Sequence, residues 1–397
     1  MKVCSLLIRS TVVLLCSVAA PPLFPADEPL ATWSKNVVVR AVSEVAGRHT
    51  IHTYYTANPE SPDGKRVLSF ASSDPRGETG DIIVFDRATG TETVIASGIV
   101  AEDAHRVACQ QWLAGGRLVA WHEVVDGRWR VVAADVETLE KTVVAEDRQI
   151  GFGQPSGNLL PLYSRHWNPG SERDLELWDA ATGKTRTAVT AATVEETHRD
   201  WITKEFSGKP ISIFFPVLSP DSKRVFFKLA AGNGGDDYRS KNASHRQGLV
   251  AADLVTGKLE WFRAKWGHPA WFPDSRRILE MGNVVFDSVD PAAPYQRLKE
   301  IPSLRGSHPS VNPEGTLMVS DGMTESLGGP KGEWAIQVGD LRGVHWTLIH
   351  RFDQTEGAKS WRRNDPHPVF SADGKRIYYN VSDGEFTRLF VAECSGG

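Results

Sequence analysis

The chain of 397 residues reads as all-β, a seven-bladed β-propeller built from four-stranded antiparallel blades. Three observations predict this. One order of strands and turns returns along the chain. Apolar residues within the strands alternate with period two. The 35 Gly and 23 Pro residues punctuate the sequence too often for long helices. A chain of this length exceeds one typical core and suits a repeat architecture. A pair of β-sandwiches is the competing fold, and the regular return of the same turn chemistry argues against it.

At the N-terminus, Lys2 and Arg9 precede the apolar run 10–20, and "PPLFPAD" follows it. This is the pattern of a signal peptide over 1–26, and the run is short for a bilayer span. An uncleaved anchor is the alternative. No later stretch reads as transmembrane. Residues 27–397 are therefore expected to form a single propeller domain, secreted or periplasmic and monomeric, with no stable membrane span after cleavage. Cys4 and Cys16 lie in the leader, leaving Cys109 and Cys394. Two cysteines are too few for a disulfide framework, so two buried free thiols are expected.

Next comes "KNVVVRAVSE" (35–44), the strand expected to close the ring by joining the last blade. The first unit, 61–96, shows the repeat in full. It has a "SPDG" turn, an alternating strand, a third strand ending in Asp, then "ATG" and a fourth strand. Asp-Gly and Thr-Gly pairs suit reversals that need positive φ. Units follow at 115–145, 157–189 and 219–262, and three more start at His268, His308 and His367. Units of roughly 40 to 60 residues with four strands match a propeller blade.

In a propeller the first strand of each blade lines the central channel, so equivalent positions form a ring. Alignment on the turns puts Asn58, Cys109, Gln154, Phe215, His268, His308 and His367 in that ring. Three consecutive blades then offer imidazoles at one level. With Asn364 and Asp365 beside His367, they could hold a divalent ion such as Mn²⁺, Zn²⁺ or Ca²⁺. The plainer reading is that each His-Pro pair caps a turn or hydrogen-bonds within the channel.

The composition is globular, with 41% hydrophobic and 24% charged residues. The net charge of −4, without a basic block, gives no sign of a nucleic-acid partner. No GxSxG nucleophile elbow occurs. A glycosidase would need a placed carboxylate pair, which 49 Asp plus Glu residues neither reveal nor exclude.

The "SPDGKRV" and "HPVFSADGKRIYYNVSD" segments resemble the TolB-type propeller repeat. The three His-Pro units, taken with "AHRVACQQW", "LYSRHWNPG" and "ERDLELWD", resemble the seven-bladed polysaccharide lyases, oligogalacturonate lyase and the ulvan lyases, over nearly the whole mature chain. The resemblance implies β-elimination on a uronic-acid glycan, with an anionic polysaccharide or oligosaccharide as partner. It places a divalent metal at His308, Asn364 and His367. Asn364 stands where the family has Gln, and Val369 stands where it has a further His. His268, from the ring, is the compensating imidazole. The ulvan-lyase likeness puts the acid and base among His105, His122 and Tyr163, and puts Tyr238 and Arg239 against the uronate carboxylate. Arg165 and His166 lie beside Tyr163, and Arg246 ends the polar insertion 236–246; all three are candidate substrate contacts.

The residues themselves leave alternatives open. His122 beside Trp121 reads as well as a packed core residue. Tyr163 in a strand is ordinarily structural. The insertion can be a solvated loop, although it is longer than a hairpin needs. The non-catalytic alternative is a TolB-like propeller that binds glycan or protein.

Overall fold

The computed structural model describes residues 29–35, 37–102, 106–240, 242–354, 365–382 and 384–394. The leader, His105 and Asn364 lie outside them. The described residues form seven four-stranded antiparallel sheets, the seven blades of a propeller. Each blade is numbered here by the order of its innermost strand.

Blade 1 shows how the sequence makes each unit. Its strands are His49–Ile51, Arg66–Ser72, Thr79–Asp86 and Glu92–Val100. In the first turn Ser61 donates to Asp63, which accepts from the Lys65 amide at 3.1 Å. Gly64 supplies φ of 73°, a conformation costly for a side chain. At the "ATG" turn Asp86 accepts from the amides of Ala88 and Thr89 at 2.9 and 2.8 Å. This is the Asx geometry that reverses a chain locally. Asp253 repeats it with Val255 and Thr256, and Asp135 with Glu137 and Thr138. The recurrent aspartate at the end of the third strand is therefore a turn device.

Blade 7 combines Val369–Phe370, Arg376–Val381 and Arg388–Cys394 with the N-terminal strand Val37–Ala41. That strand pairs antiparallel with the last one, Val37 against Cys394 and Ala41 against Phe390. Blades 7 and 1 are also joined by Glu60, which accepts from Arg376 at 2.7 and 2.9 Å and from the Tyr378 hydroxyl. Two short helices, Ala191–Thr197 and Arg199–Glu205, connect blades 3 and 4. Thr190 caps the first by accepting from the Thr193 amide. Cys109 is buried, but Cys394 is only half-buried, and neither forms a disulfide.

The axis is not an open pore. In blade 1 the inner strand loses its regular pairing after Ile51, and Tyr54 and Tyr55 turn into the channel. Tyr54 packs on Phe152, Phe215 and His367, with ring centroids 5.9, 5.1 and 4.5 Å away. Tyr55 packs on His308 at 5.4 Å and donates its hydroxyl to the Pro269 carbonyl. Two cavities result. The ring positions assigned to Asn58 and Gln154 need correction: both residues line the cavity beyond the tyrosines, of about 410 Å³. Tyr54 and Phe152 occupy the aromatic layer instead. In these two blades the ring residue lies further upstream of the Asn-Pro or Gln-Pro pair.

Candidate functional site

The other cavity, about 240 Å³, is lined by Tyr54, Arg106, Phe214, Phe215, Lys228, Arg246, Trp266, His268, Gly306, His308 and Asp365. Two rings of side chains lie in and around its wall. One comes from the inner strands and the residues that lead into them. There Cys109, Phe215 and His367 adopt φ of 53°, 56° and 51°, a region L-residues populate at a cost and that clusters at functional sites. The three imidazoles do converge. His308 lies with its ring centroid 4.4 Å from His268 and 4.4 Å from His367.

The second ring comes from the neighbouring strands. A polar residue interrupts each of several apolar strands: His122 in Leu118–Val125, Lys228 in Arg224–Gly232, Glu280 in Arg277–Glu280, Asp321 in Leu317–Met323 and Asn380 in Arg376–Val381. All five are buried. Lys228, Glu280 and Asp321 escaped the sequence reading. The signal was present, since a charge inside a buried strand is expensive unless it has a task or a partner.

Asp321 organises the imidazoles. It accepts from the backbone amides of His308 at 2.6 Å and His367 at 3.1 Å, and its carboxylate holds His308 Nδ1 at 3.1 Å. Burial would lower the His308 pKa, but Asp321 outweighs it and raises it. A carboxylate on Nδ1 leaves Nε2 toward the cavity, the arrangement that orients metal-binding histidines. One potential ligand atom from each of His308, Asp365 and His367 lies within 4.8 Å of the others. This nitrogen and oxygen donor set fits a divalent ion of the Mn²⁺ or Zn²⁺ type. Glu280 supports the third imidazole, accepting from the His268 amide at 2.5 Å.

The opposite wall is cationic. Lys228 is buried, with Nζ 4.9 Å from the Phe215 ring centroid and 4.5 Å from that of Trp266. Burial, with Arg246 and Arg106 adding repulsion and Glu280 opposing it, pushes the Lys228 ammonium down to about 7. Arg246 lies over Phe214, 5.4 Å from its centroid. Arg106 is engaged from behind: it donates to Glu102 and, at 3.0 Å, to the Tyr163 hydroxyl.

Several sequence candidates belong to that supporting layer. His122 and His166 are buried, with Nε2 3.2 and 3.6 Å from the two Glu102 oxygens. Burial disfavours the Glu102 carboxylate, yet Arg106 and the two histidines hold its pKa well below the usual range. Tyr163 is fully buried, and burial raises its pKa well above the ordinary value. Neither His122, Tyr163 nor His166 lines the cavity. Arg165 lies 3.8 Å from Asp147, away from it. Tyr238 packs on Trp129 and Trp167 at 5.0 and 5.3 Å. Arg239 reaches blade 1, meeting Glu78 at 3.4 Å and donating to the Ala101 carbonyl. The insertion thus straps blade 4 to blade 1, and of its candidate residues only Arg246 reaches the cavity.

His166 gives this layer a measurable pH dependence. Burial pushes its pKa down to about 4, below the value of about 6.5 for an unfolded histidine. The unfolded chain therefore binds more protons between these values, and stability falls as pH drops through that window. From about pH 7 to about pH 5 this one group should cost about 2 kcal/mol. Urea melts should show His166→Gln losing that much less than the parent over the same interval. Equal losses would assign the acid sensitivity elsewhere.

No family model matches the chain, and no curated protein matches it. Solved structures do. An oligogalacturonate lyase in complex with manganese aligns at 16% identity and a TM-score of 0.58, covering 90% of this chain and 96% of that one. An oligogalacturonate lyase from Vibrio parahaemolyticus aligns at 16% identity and a TM-score of 0.59, with the same coverage. TolB from Acinetobacter baumannii superposes more loosely, at 12% identity and a TM-score of 0.38, covering 89% of this chain and 65% of that one. At 16% identity the likeness to the two oligogalacturonate lyases shows a shared propeller fold. Among the described residues no helix is long and apolar enough to cross a membrane.

Proposed function

We propose that the protein is a polysaccharide lyase, secreted or periplasmic, that cleaves a uronic-acid glycan by β-elimination. The observation that carries this reading is the convergence of Lys228, Arg246 and an imidazole–carboxylate wall on one cavity at the propeller axis. β-Elimination needs the uronate carboxylate neutralised, a base for the α-proton and a proton for the leaving oxygen. Arg246 presents a guanidinium suited to a carboxylate. Lys228, with its ammonium pushed down to about 7, is the base. Its neutral amine takes the proton at C5, the C4–C5 double bond forms, and the bond from C4 to the glycosidic oxygen breaks. Tyr54 and His268 are lining side chains of a suitable type to return a proton to that oxygen. Phe214 and Phe215 keep water from the developing charge.

His308, Asp365 and His367 would hold the divalent ion. When bound, such an ion supplies Lewis-acid polarisation of the substrate carboxylate. The likeness to a manganese-bound oligogalacturonate lyase supports this part of the reading.

The test is the near-ultraviolet absorbance of the conjugated enoate product. The protein is incubated with ulvan, polygalacturonate, its oligomers and glycosaminoglycans, with and without a chelator. We expect absorbance to rise on at least one uronate glycan and to stop when metal analysis shows the ion removed. A rise that survives complete removal would make the imidazole site structural. No rise on any substrate would overturn the lyase reading in favour of a binding propeller.

A further inference from the structure

The central cavity has room for about one sugar ring, but its wall is open on one side. Arg246 and Trp266 line it, and they also line a second, open cavity of about 520 Å³ with Asn233, Asn242, Ser244 and His245. The second space therefore continues the first outward between blades 4 and 5. Its composition differs. The inner cavity holds several charges, whereas the outer one sets the Arg246 guanidinium and His245 beside an indole and two side-chain amides, its Ser244 hydroxyl being engaged with His166 at 2.7 Å.

Trp266 is 42% exposed and lines both cavities. It is also held in place. Its backbone amide donates to Gln247 at 2.6 Å, and its ring lies 4.5 Å from Lys228 Nζ and 5.8 Å from the His268 ring. A fixed indole with an open surface suits the apolar C–H face of a pyranose. Asn233 and Asn242 are exposed, and each amide carries both donors and an acceptor, as a sugar hydroxyl requires of its partner. His245 at the rim is engaged with Glu205 at 2.9 Å. The backbone of the wall is fixed by the Asn233 amide donating to the Ala243 carbonyl at 3.1 Å.

We infer that this outer groove is a second sugar subsite, which takes the unit adjoining the uronate of the central cavity, stacks it on Trp266 and reads its hydroxyls with Asn233 and Asn242. The inference rests on the uronate-glycan reading and specifies a ligand of two or more linked sugars.

The test compares galacturonate with its dimer on the intact, metal-supplemented protein and on Asn233→Ala/Asn242→Ala. Neither substitution touches the central cavity. The readout is the dimer-to-monomer ratio of calorimetric association constants, taken under conditions in which absorbance shows the dimer intact. We expect a ratio of about tenfold or more in the parent, collapsing to within about twofold of unity in the double variant. A parent ratio near unity, a variant that keeps the parent's ratio, or no binding of either sugar would overturn the subsite. The lyase reading fails separately: a length preference without enoate product would retain the subsite and remove the chemistry. Enoate product without a length preference would do the reverse.

Discussion

Lys228→Met should lower turnover by about 10²–10⁴-fold, the usual contribution of a positioned general base, while the protein remains folded. The substituted side chain is buried and keeps its apolar stem, so the change removes an amine from a site already walled by Phe215 and Trp266. The parent's kcat/KM should rise with pH through about 7, because burial with Arg246 and Arg106 pushes the Lys228 ammonium down to about 7. Below that value the amine is protonated and cannot accept the substrate proton. Lys228→Arg separates this role from simple charge. If Lys228 acted only as a cation for the carboxylate, arginine would restore much of the rate, and the parent's activity would fall above about 7. Rescue by arginine would sink the assignment.

The second large effect concerns folding. Glu102→Ala should cost about 3–5 kcal/mol, the range for stranding one member of a buried ion pair. Glu102 and the Arg106 side chain are 1% and 5% exposed, and His122 and His166 lean on the same carboxylate. Without it the Arg106 guanidinium, which also donates to the Tyr163 hydroxyl, stays in the interior after losing the Glu102 carboxylate. Glu102→Gln should lose less, because an amide oxygen can still accept. Removing both charges, as in Glu102→Leu/Arg106→Met, should recover much of the loss, since well-packed apolar replacements of buried pairs are often neutral or better. Chemical denaturation of the three variants decides the matter. A loss below about 1 kcal/mol in Glu102→Ala, the scale of an exposed pair, would contradict the description of this network.

These two residues show where the sequence was readable and where it was not. The blades were legible because their signals are local: Asp86, Asp135 and Asp253 each reverse the chain with their own neighbours. His268, His308 and His367 were legible as a group because each follows the same offset from a turn. Lys228 and Asp321 were harder. Each faces its partners only after non-adjacent strands are folded into a ring, and only the interruption of an apolar strand marks them. His122 and Tyr163 show the reverse difficulty. Their residue types suit catalysis, but in the fold they stand behind Arg106, where they secure a wall of the cavity. The tyrosine layer could not be read from spacing, because Tyr54 and Tyr55 enter the channel where the inner strand of blade 1 departs from the repeat.

The pairing of Val37–Ala41 with Arg388–Cys394 also sets a timetable. Among the described strands Val37–Ala41 is made first and Arg388–Cys394 after every other blade, so the former waits unpaired through that synthesis. Until then the ring exposes unpaired edges at blade 7 and at the waiting strand, each a template for pairing with a stranger. Pairing of two strands so far apart in the sequence is highly non-local, and such steps are slow. The interval before closure, more than the finished ring, is therefore when this chain is most exposed to aggregation and most in need of a chaperone.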